Sequence, residues 1–183
     1  TLQRDLQMAG YGIANPDALG CTLSTTYAAL PSLTLAPVVI TDGGDDGSPD
    51  SLAVLASDKT GPSIPVRVTE NHTQSATTFV VASTFNIAAG DHLAAVPATW
   101  DASNGCALFA ATATSSSTVS GTTVYNVAHA SIAAISPSAG YPAKSYLVNL
   151  GGFGYRTYSV GADHALQVAI FSASTGTTTA LDA

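Results

Sequence analysis

Thr1-Leu-Gln-Arg-Asp-Leu-Gln-Met-Ala-Gly-Tyr11 is the stretch on which the reading of this chain turns. Leu2, Leu6, Ala9 and Ile13 recur at i, i+4, i+7 and i+11, one narrow apolar stripe at helical period. Arg4, Asp5 and Gln7 fall away from that stripe, and Gly10 with Gly12 supplies the stop signal. A helix this short is marginal alone, because nucleation is costly and few bonds follow it. It needs a surface to lie on, and the stripe residues are expected to hold it there. Met8 sits off the stripe, on a flank that pads the core edge or meets a neighbouring helix. The rest of the chain reads as almost pure β. The expected class is therefore α+β, one helix packed on a mostly antiparallel sheet, in a single domain over 1–183.

Working outward, Ala14 to Ser32 carries Asn15-Pro16-Asp17, Gly20 and Pro31, and reads as an irregular connector with Cys21 midway. Leu33–Ile40 is a strand candidate interrupted by Pro37, which confines it to an edge or a bend. Ser51–Ser57 reads as a buried strand. Ile64, Val66 and Val68 alternate with Pro65, Arg67 and Thr69, the pattern of a half-exposed strand. Further strands are expected at Thr77–Thr84, His92–Pro97, Cys106–Thr114, Val124–His129, Tyr146–Leu150, Tyr155–Val160 and Ala165–Phe171. Ser115–Thr123 and Thr175-Gly176 read as turns. Short strands at this spacing imply antiparallel sheet.

Composition narrows the function. Charged residues make up 9% of the chain, far below the roughly 25% of an ordinary domain. The polar share is mostly Ser and Thr, a neutral, hydroxyl-rich surface like those of secreted and cell-surface proteins. Net charge is −7 with five Lys plus Arg, which argues against a nucleic-acid footprint and against an anionic membrane surface. Cys21 and Cys106 fit no metal spacing. In an oxidising compartment they would pair and close a long loop, worth ~4 kcal/mol in the chain-entropy account; the alternative is two separate buried thiols.

Chemistry-bearing motifs are sparse. The run Asp42-x-Gly44-x-Asp46-Gly47-x-x-Asp50 is similar to a calcium loop, with oxygens at positions 1, 5 and 9 and glycine at 6. Position 3 is glycine, and position 12 is Ala53 where the bidentate Glu belongs, so the run reads first as a Gly/Asp turn. Asp42, Asp46 and Asp50 remain its weak metal candidates. Gly152-Phe-Gly-Tyr-Arg-Thr157 holds a partial dinucleotide motif, but the strand-like residues after it deny the helix that motif requires. His72, His92, His129 and His164 are dispersed, and no Gly-x-Ser-x-Gly elbow is present. No cofactor and no enzymatic activity are expected. Asn71-His72-Thr73 is a glycosylation sequon by pattern only, and Trp100 reads as a half-buried loop anchor.

Asp5-Leu6-Gln7-Met8-Ala9-Gly10-Tyr11 resembles the Asp-[Ile/Leu]-Arg-Met-Ala-Gly-Tyr signature of PilW-type minor pilins of bacterial type IV pili. A cysteine follows shortly in that family, as Cys21 does here. Gly47-Ser-Pro-Asp-Ser-Leu52, Gly90-Asp91, Cys106-Ala-Leu108 and Asn149-Leu-Gly151 leading to Tyr155-Arg-Thr-Tyr158 are also similar, in family order. The resemblance implies a type IV pilin-like head with the helix packed on its sheet. It implies that Thr1 lies partway along a longer N-terminal helix, and that more β structure follows Ala183. The implied function is structural: pilus assembly and tip-complex formation, with downstream roles in adhesion, twitching motility or DNA uptake. The implied partners are other minor and major pilins. The head would be periplasmic, held at the bacterial inner membrane by the preceding helix, and later extracellular in the pilus. Two other functions fit the residues: a minor pseudopilin of type II secretion, and a secreted β-sandwich binding module.

Overall fold

The computed structural model describes residues 2–13, 16–44, 47–59, 64–101 and 105–182. Helix α1 spans Leu2–Met8. Strands follow as β1 (Thr22–Ser24), β2 (Ser32–Thr34), β3 (Val38–Thr41), β4 (Ser51–Ala56), β5 (Val66–Arg67), β6 (Thr78–Val81) and β7 (His92–Val96). They continue as β8 (Cys106–Val119), β9 (Thr122–His129), β10 (Tyr146–Gly151), β11 (Gly154–Val160), β12 (Leu166–Ser172) and β13 (Thr177–Asp182). Strand takes 46% and helix 6%, in two sheets, so the expected α+β, type IV pilin-like class is corrected to a β-rich fold. The reason is local. Gly10 and Gly12 take φ of +76° and +77°, a left-handed backbone that suits glycine and ends the helix after two turns. A helix of seven residues attaches to the sheets; it cannot form a layer.

The larger sheet runs β2-β1-β8-β7-β10-β5, with β9 on the far half of β8 and β6 on β9. It curls on itself. A bridge between Val68 and Val81 joins the end of β5 to β6, with Thr69 N–H donating to the Val80 carbonyl and Ala82 N–H to that of Arg67. The ring β5-β10-β7-β8-β9-β6 thereby closes, and its inside is filled by Val68, Phe79, Val81, Leu93, Ala95, Ala107, Phe109, Val127 and Leu147. The alternate residues Ala94, Val96, Cys106, Leu108 and Val148 point outward against the second sheet, where Leu55, Phe153 and Phe171 meet them. All five residues of β7 are buried for this reason. They face core on both sides.

The smaller sheet has order β13-β12-β11-β4-β3, antiparallel throughout. Several expected boundaries shift. The Leu33–Ile40 candidate splits at Pro37, and its halves β2 and β3 join different sheets. The expected connector contains β1, which pairs parallel with β8 through Leu23 and Ser24. The Ser115–Thr123 stretch is mostly ribbon rather than turn. Only Ser120 and Gly121 turn, with φ of +50° and +80°, as a two-residue hairpin loop requires.

Candidate functional site

The outer face of the smaller sheet carries a cross-strand row of Ile40, Leu52, Tyr158, Val168 and Leu181, one residue from each strand in register. Helix α1 covers the middle of that face: Leu2 and Ala9 pack with Leu52, Val54, Tyr158 and Val168. Ile13 lies past the helix and packs into the intersheet core instead. Leu6 and Met8 stay 42% and 46% exposed, so of the expected packing residues these two do not anchor the helix. The ends of the row are also open, Ile40 at 69% and Leu181 at 51% exposure. A groove runs between α1 and β13, lined by Arg4, Met8, Ile170 and Leu181.

Asp5 falls away from the apolar stripe, yet it is buried. One carboxylate oxygen accepts from the Arg156 guanidinium and the other from the Tyr158 hydroxyl, both on β11. A buried carboxylate is tolerated only when paired in this way. The backbone completes the seam: Gly10 N–H donates to the Leu55 carbonyl and Ser57 N–H to that of Tyr11. Arg156 is partly exposed and contributes little as an ion pair; the buried tyrosine bond carries more. Asp5→Ala is expected to cost about 2 kcal/mol, read as a melting temperature about 4–8 °C lower, while Arg4→Ala leaves it unchanged.

A polar cluster fills the junction of the sheets. Burial alone would raise the Asp91 carboxyl. Hydrogen bonds from Ala88 N–H and Asn149, with the adjoining Lys59 ammonium, instead hold it below its ordinary range. His92 is pushed down by burial, against the opposing pull of the Gly151 carbonyl and of Asp58 and Asp91. Its Nδ1 donates to Gly151 at 3.0 Å, which leaves Nε2 to accept from the Tyr27 hydroxyl at 2.6 Å. Both ring nitrogens are engaged in tying β7, β10 and the connector together.

The ring of strands holds a second histidine site. His72 and His129 are buried with their Nε2 atoms 3.0 Å apart, although 57 residues separate them in sequence. His129 Nδ1 donates to the Ala130 carbonyl, so its Nε2 accepts from His72. His72 stacks on Phe79 with ring centroids 3.7 Å apart, and its backbone bridges to Tyr141.

Elsewhere the candidates serve structure. Cys21 and Cys106 form a disulfide that staples the β1 region to the head of β8. Asp42 accepts from Gly44 N–H and Asp50 from Gly43 N–H, both bonds internal to the turn. Asp46 lies outside the described residues. No group of three or more metal-binding side chains occurs among the described residues. In the Gly152–Thr157 motif, Gly152 and Phe153 join β10 to β11 and the other residues open β11. Trp100 donates to the Asp17 carbonyl, as an anchor would. No described helix is long and apolar enough to cross a membrane. No family model matches the chain, and no curated protein or solved structure is significantly similar to it.

Proposed function

We propose that this chain is the head of a structural subunit of a type IV pilus, of the PilW-type minor pilin kind, working by association with other subunits rather than by chemistry. The observation that carries this reading is the position of the Asp5–Tyr11 stretch. The residues shared with the pilin signature meet the head there in distinct roles: Asp5 bonds into β11, Gly10 turns the chain against β4, and Met8 faces outward beside an open groove lined by both apolar and charged side chains. An exposed apolar flank of this kind marks an association surface. The reading does not rest on a pilin-like fold. On this account the partners are other pilins, meeting the outer face of the five-stranded sheet at Met8 and Leu181, and the head is exported with its disulfide formed.

Deleting the gene is expected to strip most pili from the surface of the bacterium that encodes it. Complementation with the wild-type chain restores them; Leu181→Asp folds with an unchanged melting temperature and does not. Normal piliation and twitching in the deletion strain would contradict the proposal. The binding-module alternative needs a platform of exposed aromatic rings. Phe153 and Phe171 beside the intersheet cleft are instead buried, and among the described residues only Tyr11, after α1, and Phe85, between β6 and β7, are exposed Phe, Tyr or Trp rings.

A further inference from the structure

Lys59, Asp91 and Asn149 converge at the junction of the two sheets from three separate segments: the stretch just past β4, the residue before β7 and the middle of β10. Lys59 Nζ lies 2.9 Å from Asp91 Oδ2 and 3.1 Å from Oδ1. Asn149 Nδ2 donates to the same Oδ2 at 2.9 Å. One carboxylate oxygen therefore touches both an amine and a carboxamide. The amide is fixed at its other atoms as well: Gly151 N–H donates to Asn149 Oδ1 at 2.9 Å, and Nδ2 also donates to the Asn86 carbonyl at 2.7 Å. Asn149 is 5% and Asp91 8% exposed, and the Lys59 side chain is 18% exposed.

We propose that this triad is a site of self-modification, in which Lys59 and Asn149 join in an intramolecular isopeptide bond with Asp91 as the proton carrier. Every part the reaction needs has an assigned atom. In a small fraction of molecules the Lys59 ammonium passes one proton to Asp91, against the pull that holds that carboxyl below its ordinary range, and the neutral amine so formed is the nucleophile. Nζ adds to Asn149 Cγ, and the developing oxyanion stays on Oδ1, where the Gly151 N–H already points. The nitrogen loses its second proton to the departing Nδ2, the Cγ–Nδ2 bond breaks, and ammonia leaves. Ammonia takes the proton held by Asp91 and departs as ammonium, so the carboxylate is restored. No electron is transferred and no cofactor takes part. Holding the amine and the amide on the same carboxylate oxygen replaces a bimolecular encounter, the source of the rate. The product would join the segment after β4 of the smaller sheet to β10 of the larger by a covalent link that reductants do not break.

Intact mass of the purified, fully reduced chain tests this. The expected mass is lower than the sequence mass by one ammonia, and digestion yields a branched peptide joining Lys59 to Asn149. Lys59→Arg keeps the ion pair with Asp91 and restores the full mass. Asp91→Asn, soluble and folded by circular dichroism, keeps the full mass for far longer than the wild type. The full sequence mass in both fresh and aged wild-type protein, with unlinked Lys59 and Asn149 peptides, overturns the proposal. Loss of one water with the link on Asp91 overturns the assignment of Asn149 as acyl donor. Cross-linking at the wild-type rate in Asp91→Asn overturns the role of Asp91.

Discussion

Removing the Cys21–Cys106 disulfide by the double Cys→Ala substitution is expected to lower stability by about 4 kcal/mol. The two cysteines are 85 residues apart, and a cross-link across so long a loop removes much of the unfolded chain's freedom. Both side chains are buried in the intersheet core, so alanine leaves a small cavity and adds to the loss. The short strand β1 depends on the link, since only Leu23 and Ser24 pair with β8. Thermal unfolding should move down by about 8–16 °C. A shift below about 2 °C would mean that the β1 segment is held by its packing alone.

The second large effect is acid sensitivity from the His72–His129 pair. Burial, reinforced by His129, pushes the His72 imidazole down to about 4, and burial lowers His129 as well. Both are therefore neutral in the folded chain near pH 7. In the unfolded chain each titrates near the ordinary value of about 6.5. The folded state thus binds fewer protons, so stability is complete above about pH 6.5 and falls as pH drops toward 4. His72 alone accounts for about 3 kcal/mol over that window. Chemical denaturation of the wild type and of His72→Gln between about pH 7 and pH 5 separates this from carboxylate titration. The wild type should lose stability with falling pH more steeply than the variant. Parallel curves would contradict the assignment.

The α+β expectation gave the helix too much weight. Its stripe was legible because periodicity is a local property, and so was its end at Gly10. How little of the domain seven residues would cover was not. Closure of the large sheet was also hidden, since β5 has two residues and the ring depends on one bridge between Val68 and Val81. The Ser115–Thr123 stretch read as turn because both faces of the ribbon end are exposed, which removes the alternation that marks a strand. Asp5 and Arg156 meet across 151 residues. His72 with His129, and the triad of Lys59, Asp91 and Asn149, are likewise assembled by topology from positions that share no motif. The disulfide was legible because composition pointed to an oxidising compartment and only two cysteines were present to pair.

The contact face of the smaller sheet can be tested in the assembled state. A photo-activated cross-linking residue placed at position 181 in the native bacterium reports what lies against the groove between α1 and β13. The same residue at position 117, on the exposed ribbon, serves as the control. Position 181 is expected to capture another pilin subunit, identified by mass spectrometry of the adduct, and position 117 to capture none. Equal capture at both positions, or none at 181 in cells that make normal pili, would contradict the pilin reading.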